Sequence, residues 1–116
     1  MNMRQIIKIF KALSDSNRLR IIKMLEIRPL CVCEITEILQ LANSTVSKHL
    51  SILRDADLIL DEKDGKWVNY ALNTNISDDI KRQLLILLKD GLPNDDVISG
   101  DRSKVKTVNR NTICGN

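Results

Sequence analysis

Cys31-Val32-Cys33 is the stretch of this chain with the most distinctive chemistry. Two thiols separated by one residue present a soft chelating bite to a thiophilic ion. On a regular helix of 3.6 residues per turn the two side chains stand about 200° apart. Binding one atom then requires the first turn to unwind or to start later, which couples ligand capture to helix geometry. The plainer alternative is a pair of small residues at a helix start, one buried and one exposed.

The elements that must position this pair follow from hydrophobic spacing. Ile6, Ile7, Phe10 and Leu13 predict an amphipathic helix over residues 4–13. Ser14-Asp15-Ser16-Asn17 offers N-caps for a second helix, which carries Leu19, Ile21, Ile22, Met24, Leu25 and Ile27 and is stopped by Pro29. Residues 30–39 predict a short third helix with Ile35, Ile38 and Leu39 as its apolar positions. A polar turn at Leu41-Ala42-Asn43-Ser44 leads into a fourth, whose inner stripe is Val46, Leu50, Ile52 and Leu53. Leu58-Ile59-Leu60 and the run from Trp67 to Leu72 are strand-like, and Asp64-Gly65 between them signals a hairpin.

A fifth helix is predicted over residues 76–88, capped by Ser77 or Asn75. Its run Leu84-Leu85-Ile86-Leu87-Leu88 is apolar on every face and calls for a second packing partner, most simply a symmetric copy. Residues 94–116 are polar with scattered single apolar residues, the composition of a mobile tail. The fold class predicted is mainly α with a small β-hairpin, a winged helix-turn-helix with flanking dimerisation helices. Residues 1–92 form the DNA-binding and dimerisation domain, and residues 93–116 a flexible C-terminal tail.

Composition bounds the function. A chain of 116 residues is one small domain, and 43% apolar with 3% aromatic content implies a Leu- and Ile-rich core helped by a partner subunit. A net charge of +3 is compatible with nucleic acid. No apolar run reaches roughly 18 residues. Residues 1–10 mix basic and apolar positions too closely for a signal-peptide core. A cytoplasmic protein with no membrane partner is therefore expected, its three cysteines serving as thiols or ligands and not as a disulfide framework. With no Cys-x-x-Cys, no βαβ pattern and no acid/base cluster, the chain does not read as an enzyme, and no cofactor is required.

A helix-turn-helix sets the start of its second helix against base edges in the major groove. Asn43, Ser44, Thr45, Ser47 and Lys48 supply an amide, three hydroxyls and a cation for that task. Lys63 and Lys66 at the hairpin tip can reach an adjacent groove or phosphates, opposed by Asp61, Glu62 and Asp64. His49 is out of phase with Lys48 and is placed at the edge of the helix pair, away from the bases.

Several of these segments, in this order, carry a resemblance. Leu30-Cys31-Val32-Cys33-Glu34-Ile35, Ser44-Thr45-Val46-Ser47-Lys48-His49-Leu50-Ser51-Ile52-Leu53 and Gly65-Lys66-Trp67-Val68-Asn69-Tyr70 resemble the ArsR/SmtB family of metal-responsive repressors. Ala12-Leu13-Ser14-Asp15 and Arg18-Leu19-Arg20-Ile21 extend the likeness, which covers about residues 6–90. The Cys-Val-Cys pair resembles the arsenite-sensing branch. The resemblance implies a homodimer that represses a double-stranded operator, in this branch that of arsenic-resistance genes, and lets go when a metal or metalloid binds. By position, Asn43, Ser44, Thr45, Ser47 and Lys48 correspond to recognition contacts, and Cys31 and Cys33 to the inducer thiolates.

One position departs from the branch: Thr36 stands where some arsenite sensors carry a third cysteine. Trivalent arsenic or antimony, As(III) or Sb(III), is satisfied by three sulfurs in a pyramid. Cys114 is the remaining thiol and the candidate third ligand, with water or a small thiol as the alternative. Thiol oxidation, or another soft metal such as cadmium or lead, is the competing signal on the same scaffold. Zinc and nickel favour imidazole and carboxylate ligands. Here the sole histidine is His49, and Asp78 and Asp79 read as first-turn acids that favour the helix dipole.

Overall fold

Capping and spacing explain most of the element boundaries in the computed structural model, which describes residues 1–75 and 77–114. Ile76, where the fifth helix was predicted to begin, and Gly115 and Asn116 of the predicted tail lie outside the described residues. The order is α1 (Met3–Leu13), α2 (Ser16–Leu25), β1 (Leu30–Cys31), α3 (Val32–Leu39), α4 (Asn43–Asp55), β2 (Ile59–Asp64), β3 (Trp67–Leu72), α5 (Asp79–Asp90), α6 (Asp96–Thr107) and α7 (Arg110–Ile113). The strands form one antiparallel sheet in the order β1-β3-β2.

Asp15 opens α2 by accepting hydrogen bonds from the Asn17 and Arg18 backbone N–H groups, at 2.8 and 3.1 Å. The helix stops at Leu25, before Pro29 and short of Ile27, which is left exposed. Gln40, with φ 57°, ends α3 in the left-handed conformation and turns the chain into α4. Ile35, Ile38, Val46, Leu50 and Leu53 fill the angle between these two helices and join Ile21, Ile22, Met24 and Leu58 in a single core.

The hairpin closes through Gly65-Lys66, since Asp64 pairs directly with Trp67. Gly65 takes φ 62°, which a side chain would resist, so it belongs at the first loop position. Only Ile59 of β2 is buried; the rest of that strand stands in solvent as the wing. The third strand, β1, was not predicted: Leu30 pairs with Tyr70 and Cys31 with Asn69.

Two helical faces differ from the predicted pattern. In α1 the core takes Ile9 and Ala12, leaving Ile7 and Phe10 exposed. Helix α5 is capped by Asp78, with Asp79 in its first turn, and none of its residues is buried. The Lys23 ammonium, itself buried, closes the far end of α5 by donating to Leu88 O (2.6 Å) and Gly91 O (3.1 Å).

Residues 93–116, expected as a flexible tail, include the helices α6 and α7. Ile98 and Val105 lie on one face of α6 and enter the core, Val105 at 0% exposure. Arg20 grips the buried Asp101 through two parallel hydrogen bonds of 2.8 and 2.9 Å. Arg28 Nη2 donates to Val105 O and Val108 O at the C-terminal end of α6. No helix among the described residues is long and apolar enough to cross a membrane.

Candidate functional site

Three sulfurs meet where α3 begins and the chain ends. Helix α3 starts at Val32, so Cys31 is extended (φ −87°, ψ 168°) and is not part of the helix. The late start removes the opposed orientation that a regular helix imposes on the two thiols. Cys31, Cys33 and Cys114 place their Sγ atoms within 4.8 Å of one another. Cys33 and Cys114 are paired, with Cα atoms 5.7 Å apart across 81 residues of sequence, and Cys31 keeps a free, buried thiol.

Glu34 organises this corner. One of its oxygens accepts from the Cys31 backbone N–H at 3.0 Å, and the other accepts from Arg28 Nη2 at 3.2 Å. The arrangement is that of a helix-capping box with cysteine at the cap position. Arg28 carries the connection on to the end of α6, so one buried carboxylate ties the Cys31 backbone to the segment that delivers Cys114. Burial pushes the Cys31 thiol above its ordinary range, and the negative Glu34 adds to the rise. Glu34 was missed, although its place three residues after Cys31 is a capping-box spacing; Arg28 carried no local signal.

Asn43, Ser44, Thr45, Ser47 and Lys48 are all exposed at the start of α4. Asn43 is the first helical residue; the N-cap is Ala42, which supplies no side-chain acceptor. The first N–H groups of α4 are thus free of a cap and, with the helix dipole, favour an anion. His49 is half-buried, and its Nδ1 lies 3.1 Å from Arg18 Nη1, which sets it apart from the exposed polar face. Lys63 and Lys66 are exposed on the wing, and Lys66 Nζ stands 4.9 Å from the Trp67 ring centre.

Comparison with known proteins agrees with this architecture. Residues 15–60 match the family described as "Bacterial regulatory protein, arsR family". The chain is 39% identical over 87 residues to the arsenical resistance operon repressor of Staphylococcus aureus, covering 75% of this chain and 84% of that protein. It belongs to the arsR family. The arsenical resistance operon repressor of Escherichia coli (strain K12) is 44% identical over 71 residues, 60% of this chain. That match spans 61% of the E. coli protein's own length. The structure of HlyU from Vibrio cholerae N16961 superposes with a TM-score of 0.62 at 30% identity, covering 76% of this chain and 94% of HlyU. This ArsR-family chain therefore carries the winged-helix architecture of a bacterial regulatory protein.

Proposed function

We propose that this ArsR-family protein is a homodimeric repressor that leaves its operator when Cys31, Cys33 and Cys114 capture arsenite or antimonite. The observation that carries the reading is the gathering of the three cysteine sulfurs within 4.8 Å of one another. In the reduced chain, arsenous acid exchanges its three hydroxyls for three sulfurs, with three thiols consumed and three waters formed. Cys31 lies just before α3 and Cys33 inside its first turn, so drawing their sulfurs from this spacing to bonding distance of one atom shifts the start of the helix that supports α4. That gives the inducer unequal affinity for the DNA-bound and free conformations, which release requires.

The homodimer is supported by unpartnered apolar surface. Met3, Ile7 and Phe10 are exposed on α1, as are Ile80, Ile86 and Leu87 on α5. On the DNA side, Asn43, Ser44, Thr45 and Ser47 read the major groove, Lys48 beside them holds a phosphate at the groove edge, and Lys63 and Lys66 hold flanking phosphates. Lys48→Ala is expected to weaken operator binding and to reduce the salt-dependence slope by about 0.9 per protomer bound. Arsenite affinity stays unchanged in that variant. Anisotropy of labelled operator DNA across a salt series measures both slope and affinity.

Proton bookkeeping separates the metalloid from a divalent soft metal. Exchange of arsenous acid with neutral thiols releases water and no proton. A cadmium or lead ion must displace one proton from each thiol, and the raised Cys31 thiol is protonated near neutrality. Between pH 6.5 and 7.5, arsenite-driven release is expected to hold its midpoint. The cadmium midpoint should fall steeply, by up to about a thousandfold for three protons. Arsenite without effect at either pH, with cadmium effective at both, would remove the metalloid assignment.

The Cys33–Cys114 pairing favours one second reading, release by thiol oxidation. Burial and the raised thiol of Cys31 argue against that residue as the oxidised centre. Peroxide in the same titration distinguishes the two signals.

A further inference from the structure

Arg110 and Cys114 are the two ends of a single helical turn: the Cys114 backbone N–H donates to Arg110 O at 3.0 Å. The Arg110 side chain leaves this turn for the wing. Its Nη1 donates to Asn69 Oδ1 at 3.0 Å, and its Nη2 donates to Asp64 Oδ2 at 2.9 Å. The guanidinium carbon also stands 5.1 Å from the centre of the Trp67 ring. Asp64 ends β2 and Trp67 begins β3, so the fork spans both strands at the hairpin tip. Asn69 is in addition the ladder partner of Cys31. The sulfur cluster and the wing are thus joined twice, through the β1–β3 ladder and through Arg110.

We propose that Arg110 is the positioning residue that carries capture of Cys114 to the wing. It rests on reading Cys114 as an inducer ligand. With Cys114 held at the cluster, the turn it ends lays Arg110 across Asp64, Trp67 and Asn69 and fixes the wing in its released setting. With Cys114 free, the turn has lost its anchor and the fork lets go, so Lys63 and Lys66 can follow the DNA backbone. No bond is made or broken at Arg110; its contribution is a difference in wing geometry between two states of a thiol four residues away.

Trp67 is the chain's single tryptophan and lies under the fork, so it reports the clamp directly. The test titrates arsenite into reduced wild type, R110A and R110K while following three signals. These are ultraviolet absorbance of sulfur–arsenic bonds, Trp67 emission, and operator affinity with and without arsenite. In R110A the sulfur–arsenic absorbance is expected to form as in wild type while the Trp67 response disappears. The ratio of operator dissociation constants with and without arsenite should fall by about 2- to 30-fold. R110K keeps the charge without the fork and should restore only part of that ratio. An R110A ratio and Trp67 response equal to wild type would overturn the proposal, since a residue with a merely structural role leaves this coupling ratio alone.

Failure of the metalloid reading looks different, because no sulfur–arsenic absorbance then forms in any variant. The clamp is in that case read from peroxide treatment, in which Cys33 and Cys114 give up two protons and two electrons and two waters form. A Trp67 change on closing that bond in wild type but not in R110A supports Arg110. Identical changes in the two proteins refute it.

Discussion

Cys33→Ser is expected to leave this ArsR-family regulator on operator DNA at arsenite concentrations that strip off the wild type. Loss of groups that merely orient a ligand already costs 10- to 100-fold in affinity, so removing a direct sulfur should raise the half-release concentration by at least about 100-fold. A hydroxyl is a hard, poorly ionised substitute for a thiolate toward a soft centre. Cys31→Ser and Cys114→Ser should behave alike if three sulfurs act together. Thr36 supplies the positive control. It stands one turn after Cys33 on α3, and its Oγ1 is buried without a hydrogen-bond partner among the described residues, so a thiol there forfeits no bond to them. Adding Thr36→Cys to the Cys114→Ser variant is therefore expected to restore release with all three sulfurs close to α3. Anisotropy of labelled operator, titrated with arsenite, reads every variant. Release by Cys31→Ser and Cys33→Ser at the wild-type midpoint would end the thiolate mechanism.

Val105→Asp is expected to cost about 3–5 kcal/mol, the penalty for an uncompensated charge in the interior. Val105 is fully buried among core residues contributed by the first half of the chain. For a domain of this size such a loss lowers the melting temperature by at least roughly 10 °C. Lys106→Asp, one residue along on the exposed face of α6, is the matched control, with an effect within about 0.5 kcal/mol. A flexible segment makes the opposite forecast, with both variants melting together. Calorimetry of the two side by side decides between an integrated helix and a tail. The outcome bears on function, because α6 delivers α7 and with it Cys114.

Local rules made the first two thirds of this chain legible. The Asp15 cap, the α3–α4 pair and the glycine hairpin each depend on residues within a few positions of one another, and each forms within about two residues of where spacing placed it. The start of α3 was only partly legible: a helix from residue 30 was expected, and pairing of Leu30 and Cys31 with β3 delays it to Val32. The inner face of α1 was less legible. Ile6, Ile7 and Phe10 form as good a stripe as Ile9 and Ala12, and only the position of α2 and α4 selects between them.

The amino-acid sequence alone determined the helix-turn-helix, the exposed polar start of α4 and the closely spaced cysteine pair, because all three are written in short-range spacing. Tertiary structure decided the rest. Helix α6 offers only Ile98 and Val105 to the core, too little apolar surface to announce itself. It is held instead by Arg20 on Asp101 and Arg28 on its last carbonyls, partners from the far end of the chain. The meeting of Cys114 with Cys33 spans 81 residues and follows from that docking. A contact whose energy comes from groups so distant in sequence leaves no periodic trace, so the sequence could offer Cys114 only as a candidate, and its meeting with Cys33 and the arginine link to the wing emerge only in the folded molecule.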